Sequence, residues 1–356
     1  MITGNNVKNT ALCGIPPEEL KERLSPLPGF RAAQICKWAA SGVSSFSGMN
    51  NLPLQLREEL AERYLLRPRA AVEKRRSADG TVKLVLQFED GASIEAVLLT
   101  DSSRRRTACL STQAGCPAGC VFCKTGTAFA RNLDSAEIIE QFLQLRAIAD
   151  EGAALPIANI VVMGMGEPLL NLEELRRALA VITCKEGMNF SRRRITVSTC
   201  GIVPGIISLA GKGPAVRLAL SLTTGDENLR KRLMPISQPL RQVKEALRYF
   251  QDRGGGRVTL EAVLLCGINT RAEDAEGIAR FAAGLDAVVN LIPWNPVKGL
   301  EFEGCSLREP DAEEVNLFKR RLETLGLKVT CRYRRGRGVS GACGQLGNGE
   351  HGKRMK

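Results

Sequence analysis

The stretch Ala114-Gly-Cys-Pro-Ala-Gly-Cys-Val-Phe-Cys-Lys124 constrains this chain more than any other. Cys116, Cys120 and Cys123 stand in a C-x3-C-x2-C spacing on a glycine-rich loop, just after an expected strand at residues 106–112. A closed zinc site or a fully ligated iron–sulfur cluster takes four protein ligands. Three thiolates on one short loop can instead hold three corners of a 4Fe–4S cluster, leaving the fourth iron for a ligand that is not protein. Gly115 and Gly119 let the backbone wrap closely, and Phe122 can shield one side from water. A zinc ribbon without its partner pair and three buried structural cysteines are the competing readings. Zinc pairs usually run C-x2-C and recur, and no second pair occurs here.

A chain of 356 residues can bury one large domain and a smaller one. No run of about 18 uninterrupted apolar residues occurs, so no membrane span is expected. The first residues lack the basic-then-apolar pattern of a signal peptide. Twelve cysteines at irregular spacing fit a reducing cytoplasm better than a disulfide scaffold. Fifty Lys and Arg against 38 Asp and Glu give a formal charge of +12, which points to a polyanionic partner. The arginines clump at residues 104–106, 192–194 and 332–337, although a charge run is more often a solvated face than a contact. Aromatics are only 4%, which argues against a base-stacking platform.

Along the chain, residues 1–10 read as disordered and residues 16–64 as a small helical module, with helices at 17–20, 31–40 and 54–64. Residues 82–88 and 93–99 alternate apolar and polar around Glu89-Asp90-Gly91, a β-hairpin pattern. Residues 102–106 read as a linker. From Thr107 onward strands and helices alternate, which argues for parallel βα units. Strands are expected at 157–163, 195–198, 216–222, 258–265, 287–292 and 328–333. Asp134 and Glu137 form a capping box for the first helix of the series.

Six βα repeats fall short of the eight that close a TIM barrel. The expected fold is α/β: a partial, open, six-unit βα TIM-like barrel with an N-terminal helical module and a β-hairpin. The expected division is a helical accessory module at 1–80, a hairpin extension at 81–101, the barrel at 102–335, and a C-terminal loop and tail at 336–356. In such sheets ligands collect at the carboxyl ends of the strands. Gly164-Met-Gly-Glu-Pro168 lies at one such end, where glycines allow close backbone approach to a ligand and a carboxylate can receive an amino group. Ser198, Ser221, Thr223 and Asn295 also lie at or just past strand ends; each alone reads as a turn residue or strand cap. Cys109 falls on the first barrel strand. Cys343, between glycines and after an arginine-rich stretch, is expected to be exposed with its thiolate favoured. Cys13, Cys36, Cys184, Cys200, Cys266, Cys305 and Cys331 read as small buried hydrophobes.

Together these stretches resemble the RlmN/Cfr family of radical S-adenosylmethionine RNA methyltransferases. The likeness runs from about Arg31 to Leu346. It includes Arg31-Ala-Ala-Gln-Ile35, the cysteine loop, Met163-Gly-Met-Gly-Glu-Pro-Leu-Leu-Asn171, Val197-Ser-Thr-Cys-Gly201, Leu291-Ile-Pro-Trp-Asn-Pro296 and Ala342-Cys-Gly-Gln-Leu346. The resemblance implies a 4Fe–4S cluster on Cys116, Cys120 and Cys123, with S-adenosylmethionine on its open iron. It implies cofactor contacts at Gly166, Glu167, Ser198, Ser221, Leu222, Thr223 and Asn295. It also implies that Cys343 is methylated and that a 5′-deoxyadenosyl radical activates that methyl group for addition to C2 of an adenine. Cys109 then releases the product through a transient disulfide, and Glu95 matches the proton acceptor. The implied partners are 23S rRNA, with tRNA as a further candidate, and an electron donor such as flavodoxin or ferredoxin. A monomer is expected. The extended helical module favours the RlmN branch over the Cfr branch, which methylates C8. A non-catalytic iron–sulfur RNA-binding protein is the reading from another class, and the pair Cys109 and Cys343 argues against it. Two departures stand out: Thr223-Thr224 replaces the histidine the family commonly has after Ser221-Leu222, and the segment from Glu95 to Cys109 is one residue longer than usual.

Overall fold

The computed structural model describes residues 11–151, 155–331 and 336–347. The expectation for residues 1–10, the end of the last expected strand, and residues 332–335 of the final arginine run lie outside these. Ten strands form one sheet whose spatial order is the order of the chain. They are β1 Ala70–Arg76, β2 Val82–Phe88, β3 Ser93–Thr100, β4 Arg106–Cys109, β5 Ile157–Val162, β6 Ile195–Thr199, β7 Arg217–Ser221, β8 Val258–Leu264, β9 Ala287–Pro293 and β10 Val329–Cys331. Neighbours from β1 to β4 run antiparallel. From β4 to β10 every pairing is parallel.

Three helices precede the sheet: α1 Pro17–Arg23, α2 Gly29–Ser41 and α3 Leu54–Arg63. The parallel strands are joined through α4 Ser135–Asp150, α5 Leu172–Thr183, α6 Val203–Lys212, α7 Glu227–Leu233 with α8 Leu240–Phe250, α9 Ala272–Ala282, and α10 Ala312–Thr324. These are the six βα units that the alternating pattern predicts. No crossover reverses direction along the sheet, so right-handed connections place the helices on one face and leave the other bare. Among the described residues the sheet does not close on itself; β1 and β10 are its edges.

The alternation of residues along each strand matches that asymmetry. Ile160, Val162, Ile195, Val197, Leu218, Leu220, Leu260, Leu264, Val289 and Leu291 are buried, each contributing about 2 kcal/mol of apolar burial. Helices meet them with stripes such as Leu172, Leu175, Leu179 and Ile182 of α5. The intervening positions include Thr107, Asn159, Thr196, Ser198, Ser221 and Glu261. A closed barrel fills its interior with branched apolar side chains. Here the interior face carries polar side chains among apolar ones around an open cavity, so it is a site and not a filled core.

Several elements differ from the sequence pattern. Strand β1 was not expected within the helical module; it pairs with β2 through the full register from Ala70 with Phe88 to Arg76 with Val82. Residues 102–106 are no linker. Asp101 accepts the backbone N–H and the Nε–H of Arg105, making a tight turn that returns β3 onto β4. The strand expected at 106–112 ends at Cys109. After Cys109 the chain leaves the sheet, and Gln113–Gly115 pairs with Phe129–Asn132 to bracket the cysteine loop.

Helix α4 begins with the predicted capping box: Asp134 accepts from the Glu137 N–H, and Glu137 accepts from the Asp134 N–H. It is buried nearly all round because its second face is covered by the N-terminal module. Gly14 passes so close to Ala136 that a Cβ there would sit 2.4 Å from the Ala136 nitrogen. Arg67 grips Glu140 with two hydrogen bonds of 2.7 Å. Arg177 of α5 holds Glu19 of α1 in the same forked manner.

Candidate active site

The cysteine loop is held by its own backbone and by the elements around it. Cys116 donates its N–H to Ala128 O at 2.8 Å, and the Val121 N–H reaches Leu233 O at 3.0 Å. Gly115 lies at φ +85°, where a Cβ would be 2.1 Å from Ala128 O, so only glycine fits. Trp294 Nε1 donates to Phe122 O at 2.9 Å, fixing the apolar side of the loop. Burial pushes the Cys116 thiol up to about 12, and Cys123 and Glu167 nearby push in the same direction. Burial likewise raises Cys120 well above the usual thiol range, with Cys123 and Cys116 adding to it, and raises Cys123.

One buried and two half-buried thiols that resist ionising beside one another suit a cationic iron centre, which would pull off their protons. Among the described residues no three such side chains are spaced to share one metal ion. A cubane does not require that, because each thiolate takes a different iron.

The glycines at 164 and 166 have a packing role that their motif does not reveal. A Cβ on Gly164 would lie 2.5 Å from Ser111 Oγ, and one on Gly166, at φ +109°, 2.7 Å from Gln113 Cβ. They let this turn press against residues 110–113. Gly164 N–H donates to Leu110 O, Met165 N–H to Ser111 Oγ, and Glu167 N–H to the side-chain oxygen of Gln113. The Glu167 carboxylate also points into the protein. It accepts the N–H groups of Leu169 at 3.0 Å and Cys200 at 2.8 Å, tying the carboxyl ends of β5 and β6 together. Burial raises its pKa against these hydrogen bonds.

Ser198, Ser221 and Glu261 meet on three adjacent strands. Ser198 Oγ donates to Glu261 Oε2 at 2.9 Å and lies 3.5 Å from Ser221 Oγ. The Glu261 carbonyl accepts the N–H groups of both Leu222 and Thr223. Thr223 is held at φ +63°, a left-handed conformation costly for a β-branched residue. Its carbonyl accepts from Asn269 Nδ2 at 3.0 Å, yet its buried hydroxyl has no partner.

Two residues here carry no sequence motif. Glu261 sits inside an apolar strand pattern. Arg230 reads as one of three cations in Leu229-Arg-Lys-Arg-Leu233, yet it is 1% exposed. Its guanidinium donates to the carbonyls of Cys200 at 2.6 Å and of Ser221 and Leu222 at 3.1 Å. A strand-period scan could have flagged Glu261; nothing local distinguishes Arg230 from Lys231 and Arg232.

The C-terminal loop completes the arrangement. Cys343 is half-buried, not exposed, and its loop is fastened on several sides. Lys124 N–H donates to Gly344 O at 2.8 Å and Thr125 Oγ1 to Leu346 O at 2.8 Å, joining it to the cysteine loop. Asn295 Nδ2 donates to Cys343 O at 3.1 Å, and Gln345 Nε2 to Pro296 O at 3.1 Å. Cys109 and Cys343 line one cavity of about 560 Å³ on the bare face of the sheet, together with Asn295 and Met163. Glu95 does not line it. It is fully buried, with Lys83 Nζ 3.0 Å from Oε1 and the Gly347 N–H 2.9 Å from Oε2. Of the cysteines read as buried hydrophobes, Cys13, Cys36 and Cys200 are buried, whereas Cys184, Cys266 and Cys331 are half-buried, the last lining the cavity, and Cys305 is exposed.

A three-thiol loop at the head of an open βα sheet, with a glycine turn and a polar strand-end cluster beside it, defines a radical S-adenosylmethionine protein. The Radical SAM superfamily model matches residues 110–282, and the ribosomal RNA large subunit methyltransferase N-terminal domain model matches residues 12–66. The chain is 44% identical to a probable dual-specificity RNA methyltransferase RlmN of Treponema pallidum (strain Nichols), over 95% of this chain and 97% of that one. It is 41% identical to a protein so described in Thermus thermophilus, over 93% and 91%. A crystal structure of a radical SAM methyltransferase from Sphaerobacter thermophilus superposes with a TM-score of 0.88 at 39% identity, covering 95% of this chain and 99% of that one. The chain belongs to the RlmN family. No helix among the described residues is long and apolar enough to cross a membrane.

Proposed function

We propose that this chain is an S-adenosylmethionine-dependent RNA methyltransferase that forms 2-methyladenosine in 23S rRNA and in tRNA beside the anticodon. One observation carries the reading. Cys109 and Cys343, far apart in sequence, line one cavity, and the loop of the second is bonded to the three-thiol loop. A sensor protein needs neither cysteine.

Cys116, Cys120 and Cys123 would hold the cluster. Gly166, Glu167, Ser198, Ser221, Leu222, Thr223 and Asn295 frame the place of its cofactor, where the unpaired Thr223 hydroxyl awaits a partner. When bound, cluster and cofactor supply the methyl group and the one-electron chemistry that a non-nucleophilic adenine carbon requires. Cys343 carries the methyl carbon to the base on its sulfur. The bridge that results is undone when the Cys109 thiolate attacks the Cys343 sulfur: an S–S bond forms, the S–C bond breaks, and the electron pair stays with the carbon, which takes a proton. Glu95 accepts the proton lost from C2, and withdrawal of the loop that ends at Gly347 uncovers it. An external electron donor of the flavodoxin or ferredoxin kind is required.

The test is nucleoside mass analysis of unmodified 23S rRNA and tRNA after anaerobic incubation with the reconstituted protein. 2-Methyladenosine is expected. 8-Methyladenosine would place the chain in the other branch, and no methylation by a cluster-loaded, reduced protein would defeat the reading.

A further inference from the structure

The strands that border the cavity share a pattern that no motif covers. Residues two apart on a strand lie on one face. Thr107 and Cys109 therefore share the bare face at β4, Thr196 and Ser198 at β6, and Arg217, Ala219 and Ser221 at β7. Arg105, in the turn before β4, and Arg194, at the end of a single 3-10 turn, immediately precede the first two strands. All three arginines line the cavity. Arg217 opens β7, Arg105 and Arg194 stand just before β4 and β6, and each has a residue of the site four positions on. The register binds two of these rows, since Thr196 is the partner of Arg217 across β6 and β7.

Two of the three charges at this mouth are not spent internally. Arg194 and Arg217 are exposed and make no side-chain hydrogen bond or ion pair among the described residues. Arg105 pairs with Asp101 at 2.8 Å, and Asp101 is the one acidic residue among the described residues that line the cavity. The neighbouring Arg106 shows the contrast: its guanidinium is used up on the carbonyls of Ala149 and Leu155. The other end of the cavity is covered by the loop carrying Cys343, which is bonded to the cysteine loop.

We propose that substrate RNA enters at this amino-terminal mouth, and that Arg194, Arg217 and Arg105 hold the phosphodiesters flanking an extruded adenosine. This rests on the RNA methyltransferase reading above. From Arg217 to Ser221 the strand rises about 13 Å, so a phosphate held at the mouth leaves its base directed along the cavity toward Cys109 and Cys343. Guanidinium groups match phosphate through paired donors. A base must leave its stack to be reached at all, and a mouth that grips the backbone on both sides of it stabilises that state.

The test compares Arg194→Ala/Arg217→Ala with Arg241→Ala/Arg320→Ala, a control pair at exposed positions of α8 and α10. Each pair removes two positive charges. Binding of an unmodified 23S rRNA fragment to the reconstituted protein is measured across salt concentrations. The mouth pair should weaken binding at least ~10-fold and flatten the slope of log K against log salt by about 2, with the control pair near wild type. Equal losses in both pairs would overturn the proposal, because bulk charge would explain them. Unchanged RNA binding with slower cluster reduction by flavodoxin would also overturn it, making the mouth a seat for an acidic electron donor. Methylation of Cys343 in the wild-type protein without RNA, read by mass spectrometry, checks the underlying reading separately.

Discussion

Glu95 accepts the backbone N–H of Gly347 at 2.9 Å, so the carboxylate proposed to take a proton is covered by the loop that carries Cys343. Its other oxygen faces Lys83 Nζ at 3.0 Å, and both side chains are buried. Removing one member of such a pair leaves an uncompensated charge. Glu95→Gln should therefore cost about 3 kcal/mol of stability, and Lys83→Met added to it should restore much of that. If Glu95 acts only as a structural partner, methylation returns with stability in the double variant. If it takes the proton, methylation stays lost. Urea denaturation and single-turnover methylation of the same samples separate the two.

Cys109→Ala and Cys343→Ala should fail differently. Without Cys343 no methyl carrier exists, and neither product nor adduct forms. Without Cys109 the bridge to the base has no attacking thiolate, so RNA should accumulate covalently on Cys343. Denaturing gel electrophoresis with labelled RNA distinguishes them. Free product from Cys109→Ala would show that another group releases the base.

Thr223 combines a strained backbone with an unpaired buried hydroxyl. Thr223→Gly relieves the first and deletes the second. The protein should remain at least as stable, while its affinity for S-adenosylmethionine should fall about 10-fold if the hydroxyl contributes one good hydrogen bond. Equilibrium dialysis against the reconstituted protein measures this. Unchanged affinity would leave only the backbone in that role.

Asp79 anchors the start of the final described segment by accepting the Gly336 N–H at 2.7 Å. Burial pushes its carboxyl up, but N–H donation from Gly336 and Thr81 outweighs this and holds it below 3.8. A carboxyl depressed in the folded state contributes fully above its unfolded value and loses that contribution as pH falls through the folded one. Asp79→Asn should thus be less stable than wild type near pH 6, with the difference shrinking as pH drops below 3.8. Paired urea titrations of the cluster-free proteins across pH give the comparison.

The βα series was legible because its signals are local: Leu172, Leu175, Leu179 and Ile182 declare the face of α5, and Asp134 with Glu137 declares the start of α4. Strand β1 was hidden because Glu73-Lys-Arg-Arg76 lies on an exposed edge and lacks apolar alternation. At the candidate site, the cysteine spacing can be read directly, but the purpose of Gly164 and Gly166 cannot. Only the fold shows that what presses on them is residues 110–113. Arg230 was invisible for a related reason: which of three consecutive cations is buried depends on the carbonyls of Cys200, Ser221 and Leu222, which belong to other elements.

The fastening of residues 343–347 to Lys124, Thr125, Asn295, Pro296 and Glu95 gives the tail a second duty. It is a keystone as well as a carrier. Shortening the chain before Gly344 would at once unroof the iron-binding loop and leave the Lys83–Glu95 pair open to water. Cofactor loading would then fail, even with the Cys343 thiol still in place.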